Sequence, residues 1–355
     1  VKDETKIVTT GRDPKAHAGA VNTPVYHAST IIYPSLAAIR GKEAMPYTYG
    51  RRGTPTTAAL QEAMSELEGA DGTVLTPSGA SAVSLAIMSA VEAGSHLLMV
   101  DSVYEPTRKL CDRLLTRFGV ETQYYDPLIG GEIATLLSDN TALIFMESPG
   151  SQTFEIQDVP AIVAAAQKAG VKTAIDNTWA TPLHFRPLDH GVDFSILAAT
   201  KYVVGHADAL LGTVAAKGDN FKHLKNVHGQ IGYSVGPDDV FLALRGLRTM
   251  PTRMKQHQHA ALDIATWLQS LDFVRTIYYP ALPDAPGHEL WQRDFSGAGG
   301  LFSIELEPCS EAQLAAMLDN MRLFAMGYSW GGFESLILPC EIKRTASPFE
   351  TNGQM

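Results

Sequence analysis

Three cysteines in 355 residues are too few and too scattered to staple a fold. Cys111, Cys309 and Cys340 form no C-x-x-C pair and show no metal-ligand spacing with histidines, so a disulfide framework and a metal site are both set aside. Free thiols in a reducing compartment are expected. No run of about eighteen uncharged apolar residues occurs, and the N-terminal stretch VKDETKIVTTGRDPKAHAGA lacks the apolar core of a secretory signal. A cytoplasmic protein with no membrane partner is the expectation. Lysine and arginine do not cluster, and the net charge is -10, which argues against nucleic acid or an anionic lipid surface as a partner. Internal repeats and low-complexity tracts are also missing.

What remains is an ordinary globular composition, 45% hydrophobic and 19% charged, enough for a large core in two or three lobes. SHLLMVD (95–101), TALIFMES (141–148), KTAIDN (172–177) and DFSILAAT (193–200) each read as a buried strand. Amphipathic stretches lie between them, at 106–118 and at 159–170, the latter closing on a glycine that suits a helix end. The alternation predicts an α/β fold, a mainly parallel sheet wrapped by helices. Such sheets bind ligands beyond the carboxyl ends of their strands, which gathers Ser148, Asp176 and Lys201 at one edge. After about residue 240 the pattern changes to one long amphipathic helix (241–271), bent near Pro251, and two more strands. The expected division is an N-terminal arm (1–53) with no core of its own, a large lobe (54–247) and a smaller α+β C-terminal lobe (248–355).

Three features of the large lobe belong together. TVLTPSGASAVSLAIMSAV (73–91) runs from a strand through a turn into a helix, so the amides near Gly79 and Ala80 lie at a helix N-terminus that can hold phosphate. Turn chemistry alone would also explain the glycine. Asp176 ends a buried run, where a carboxylate needs a cationic partner unless it caps a turn. Lys201 sits in LAATKYVVGHADAL (197–210) among small and apolar residues, an odd place for a solvated charge. A phosphate cradle, a buried carboxylate and a lysine on neighbouring strand ends are what pyridoxal 5'-phosphate (PLP) requires, for its phosphate, its pyridine nitrogen and its aldehyde.

The motifs DNTWATP, LAATKYVVGHADALLGT, YGRRGTPT (49–56) and TPSGASAV resemble the Cys/Met-metabolism family of PLP-dependent enzymes, of fold type I. Within it, MGYSWGGFESLI (326–337), YYPALPDAPGHELWQRDFSGAGGLFS (278–303) and RGLRT (245–249) are most similar to the bacterial cystathionine β-lyase branch. The likeness runs through nearly the whole chain. It implies a carbon–sulfur lyase that splits L-cystathionine into homocysteine, pyruvate and ammonia. Lys201 would be the Schiff-base lysine and the proton carrier, Asp176 the partner of the pyridinium nitrogen, and Tyr104 the aromatic stacked on the ring and a proton-transfer group. Gly79, Ala80 and Thr200 would hold the phosphate. Tyr49 and Arg51 would reach it from a neighbouring subunit, which implies an active-site dimer and, by resemblance, a tetramer of two dimers. Tyr49, Ser329 and Trp330 would line the substrate end.

Departures from the family pattern carry expectations of their own. Ala198 stands three residues before Lys201 where many relatives have serine, so Thr200 must carry more of the phosphate. The substrate-carboxylate arginine of the family, in a strand of the form Leu-x-Arg-x-x-x-Gly-x-Glu, has no counterpart here. The arginine after Trp330 is Arg344, in EIKRTASP, a different context. The chain thus reads as shortened. Two alternatives stay open: γ-elimination or γ-replacement by the same Lys, Asp and Tyr, and a PLP-binding homologue without turnover.

Overall fold

The structure is a computed structural model that describes residues 2–349 and 355. Seven strands form the main sheet: β1 (Gly72–Thr76), β2 (His96–Val100), β3 (Glu121–Tyr125), β4 (Thr141–Glu147), β5 (Lys172–Asp176), β6 (Phe194–Leu197) and β7 (Gly212–Ala216). Their order is β1-β7-β6-β5-β4-β2-β3. Only β7 runs against its neighbours, and the other pairings are parallel. Residues 97–100 and 143–146 are fully buried, because helices cover both faces of a parallel sheet. Burial of each such side chain contributes about 1.5–3 kcal/mol. β3 alternates exposed and half-buried positions, as an edge strand should.

The helices that aim the strand ends are locally specified. In Val159–Ala169, Asp158 accepts the Ala161 amide, apolar residues recur at 159, 162, 163 and 166, and Gly170 closes the helix at φ 72°. Gly79–Met88 begins with a reciprocal Ser78–Ser81 capping box and buries its apolar face from Ala82 to Ile87.

Two stretches depart from their sequence reading. The segment 106–118 is a short helix, Glu105–Lys109, that widens at Leu110–Leu114 and tightens at Leu115–Phe118. The Thr116 hydroxyl donates to the Cys111 carbonyl at 3.0 Å, competing with the regular ladder. The long helix is two helices, Pro237–Leu247 and Met250–Leu268. Pro251 has no N–H to continue the ladder, and in the gap Arg248 ties the carbonyls of Ile7 and Thr10 to this junction. Beyond it, β8 (Val274–Tyr278) and β9 (Ser303–Leu306) pair antiparallel, with helices His288–Asp294 and Glu311–Asp319. The chain from 321 to 349 is largely irregular.

Candidate functional site

Lys201 lies in the turn that follows β6, held by its amide on the Ala198 carbonyl (3.0 Å) and by its own carbonyl on the Gly205 amide (2.8 Å). Its Nζ donates to the Ser329 hydroxyl at 2.8 Å and stands 5.2 Å from the centre of the Trp330 ring. That ring is fixed edge-on against Tyr202, 5.3 Å between centroids. Burial pushes the Lys201 ammonium down from its usual pKa, while Asp176 and Glu334 oppose the shift.

Asp176 ends β5. Its Oδ1 accepts the Thr178 amide at 3.0 Å and the Thr178 hydroxyl, and that hydroxyl in turn accepts the Ala198 amide at 2.8 Å. Thr178 therefore links the carboxylate to the turn that carries Lys201. Burial raises the Asp176 carboxyl, against the Thr178 bonds and Lys201. Tyr104 follows β2, with its amide on the Glu147 carboxylate at 2.8 Å and its ring half exposed. Burial is the main cause that raises the phenol, and the neighbouring carboxyls of Glu147, Asp176 and Glu105 act in the same direction. It keeps its proton at neutral pH. Ser148, expected at this edge, is buried and accepts the Gln157 amide.

At the N-terminus of helix Gly79–Met88 the first-turn amides have no intrahelical acceptor. A Cβ on Gly79 would stand 2.4 Å from the Ala198 Cβ, so glycine is what lets this helix end approach the lysine turn. The Thr200 hydroxyl accepts the Leu211 amide at 3.1 Å and faces the Leu211 carbonyl at 3.2 Å. To donate to a phosphate it must turn its proton away from that carbonyl.

Tyr49 and Arg51 are elsewhere. Tyr49 bridges to Thr30, and Arg51 donates to the Gly229 carbonyl at 3.0 Å. With Tyr26, His27 and Val235 they line a hollow of about 290 Å³ that Lys201, Asp176 and Tyr104 do not touch. The single chain thus brings together Lys201, Asp176, Tyr104, Ser329 and Trp330, and leaves the arm residues on a separate surface. Arg344 donates through one guanidinium nitrogen to Glu155 at 2.6 Å and to the Thr153 hydroxyl, and its other terminal nitrogen has no hydrogen-bond partner among the described residues. Thr178, Glu147 and Glu334 join the site without having been singled out in the sequence. The glutamates carry no motif signal of their own, whereas Thr178 could have been found as the hydroxyl two residues after a strand-end Asp.

Residues 4–352 match the family model of the Cys/Met metabolism PLP-dependent enzymes. The chain belongs to this family. Among relatives of the Cys/Met-metabolism PLP enzymes, cystathionine beta-lyase MetC of Escherichia coli K12 is 45% identical over 344 residues, 95% of this chain and 87% of that protein. The L-alanine/L-glutamate racemase of Wolbachia pipientis is 42% identical over 357 residues, 96% and 88% of the two chains. In structure, the cystathionine gamma synthase of Xanthomonas oryzae pv. oryzae in complex with aminoacrylate and cysteine superposes with a TM-score of 0.89 at 33% identity, covering 95% of this chain and 86% of that one. The fold is therefore PLP-dependent fold type I, and the substrate class of the family is amino acids.

The geometry fits the cofactor. A half-buried carboxylate with one oxygen that takes no hydrogen bond among the described residues, a lysine made less basic by burial, an aromatic near that carboxylate, and the open N-terminus of a helix packed on the lysine turn gather at the same strand ends. Among the described residues no helix is long and apolar enough to cross a membrane, and no group of three or more His, Cys, Asp or Glu could hold a metal ion.

Proposed function

We propose that this protein is a carbon–sulfur β-lyase that cleaves L-cystathionine to homocysteine, pyruvate and ammonia. The observation that carries the reading is Lys201, lowered in basicity by burial and held between the Ser329 hydroxyl and the Trp330 ring, with Asp176 acting on it. Bound PLP supplies an electron sink that acidifies the Cα–H bond of the substrate. Lys201, uncharged, takes that proton and returns one to the sulfur that leaves Cβ. Asp176 holds a proton on the pyridine nitrogen, and Tyr104 packs on the ring and steers the substrate amine. Gly79, Ala80 and Thr200 hold the phosphate, and Ser329 and Trp330 shape the substrate end.

Tyr49 and Arg51 complete the phosphate and substrate contacts of a neighbouring subunit, since within one chain they stand apart from Lys201. The functional unit is then at least a dimer in which the arm (1–53) of each subunit reaches the active site of the other, each subunit carrying a large lobe (54–247) and a C-terminal lobe (248–355), and by family likeness a tetramer of two dimers. The reaction belongs in the cytoplasm, where the three free thiols stay reduced.

The test is product analysis with L-cystathionine. Pyruvate with an equal amount of thiol is expected, whereas 2-oxobutyrate means γ-elimination. The racemase relative motivates one more assay, on L-alanine and L-glutamate. D-amino acid formed there without pyruvate from cystathionine would replace the lyase reading.

A further inference from the structure

The residue beside Asp176 on the next strand is also an acid. Glu147 closes β4 as Asp176 closes β5, and the two are register partners across the parallel pair, so their side chains leave the sheet on the same face. Both are half-buried. The Glu147 carboxyl makes one hydrogen bond among the described residues, from the Tyr104 amide at 2.8 Å. Arg344 acts on it by charge alone, with one guanidinium nitrogen engaged by Glu155 at 2.6 Å and by Thr153 and no hydrogen bond to Glu147 among the described residues. Asp176 is better provided, with both donors of Thr178 and the charge of Lys201. Two carboxyls on paired strand ends repel when both are ionised, and the one with fewer donors keeps its proton.

We propose that Glu147 is a positioning residue that seats Tyr104 through the backbone amide, and that it does so as an uncharged acid, leaving Asp176 the single anion of the pair. This rests on the PLP reading of the site. Burial, followed by the charge of Asp176, pushes the Glu147 carboxyl well above its ordinary range, against the Tyr104 amide and Arg344. The sequence hides the arrangement, because a glutamate before Ser-Pro reads as the polar end of a strand. An uncharged acceptor fixes the amide without placing a second negative charge where the cofactor nitrogen must find only one.

The test compares Glu147→Gln with Glu147→Leu in the holoenzyme. Glutamine keeps an oxygen acceptor without a charge, and leucine keeps bulk without an acceptor. We read kcat and KM for L-cystathionine, the visible circular dichroism of bound PLP, and hydrogen exchange at residues 102–106 in the cofactor-free protein. Glu147→Gln should stay within about threefold of wild type in kcat with unchanged dichroism. Glu147→Leu should lose about tenfold to a hundredfold in kcat, as expected for a group displaced by about 1 Å, with KM little moved, altered dichroism and faster exchange at Tyr104. If glutamine is as damaging as leucine, the charge is needed and the proposal falls. If leucine behaves as wild type in every readout, Glu147 positions nothing. Should the leucine variant not accumulate, Glu147→Asp replaces it, since the shorter side chain draws the acceptor off the amide and should show the same kcat loss. A wild-type protein that binds PLP but releases no pyruvate would defeat the lyase reading alone, because dichroism and exchange still report on Glu147.

Discussion

Asp101 and the group around Lys201 lie along the same carboxyl edge of the sheet, and the protein treats their charges in opposite ways. The Asp101 carboxylate receives Arg108 at 2.6 Å, the amides of Thr345, Ala346 and Ser347, and two hydroxyls from the same segment. Burial by itself would raise its pKa, but Arg108 and the three amides outweigh that and bring it down to about 2. Lys201, Asp176 and Glu147 have one or two donors or acceptors each, and burial shifts every one of them toward its neutral form. A saturated charge locks the irregular C-terminal segment onto the strand that leads to Tyr104. An under-partnered one is left ready to exchange protons.

The sharpest way to separate the two groups is Lys201→Ala. Pyruvate release should fall by at least about 10⁴-fold, the scale expected when a nucleophile and proton carrier are lost together, while the melting temperature stays or rises. Asp101→Asn should do the reverse, lowering stability by about 3 kcal/mol in denaturant melts because Arg108 is left unpaired in the interior, with much less effect on turnover. Since the folded pKa of Asp101 lies below its ordinary value, its contribution is present above about pH 4 and is lost as pH falls toward about 2. The acid limb of the stability curve should flatten in the variant.

Arg51→Ala tests the arm. Loss of a charge-assisted contact to phosphate should weaken PLP binding by about tenfold to a hundredfold in equilibrium dialysis, and unchanged affinity would remove Arg51 from the phosphate site. The smallest effect concerns Glu68, fully buried at the far end of helix Pro55–Glu68 with Ser195 and Arg186 as its polar neighbours. Burial raises its carboxyl to about 8, against Ser195 and Arg186. A raised acid favours the folded state at low pH and loses that advantage as pH climbs through about 8, so Glu68→Gln should be more stable than wild type by about 1–2 kcal/mol at pH 8–9 and no different near pH 4.

The parallel centre of the sheet was legible because buried parallel strands are short apolar runs with polar residues at their ends, as at Asp176, whereas Lys201 stands in the turn beyond β6, which closes at Leu197. Tyr104, Ser329 and Trp330 were legible only through family likeness, since no periodicity marks them. The bend near Pro251 was legible, but the Arg248 bonds to Ile7 and Thr10 at that junction span more than two hundred positions, and no local pattern announces them. The pairing of Glu147 with Asp176 depends on strand register, and the Asp101 clamp on where residues 345–347 return. Both are facts of topology. The arm residues were expected to act on another chain, and a single chain can only leave them apart from Lys201.

The most direct test of the central claim is borohydride reduction of the PLP-loaded protein, followed by peptide mapping of the pyridoxyl group. The label should fall on Lys201, in the peptide LAATKYVVGHADAL, and reduction should end pyruvate release. A label on any other lysine, or none despite a visible cofactor band, would contradict it.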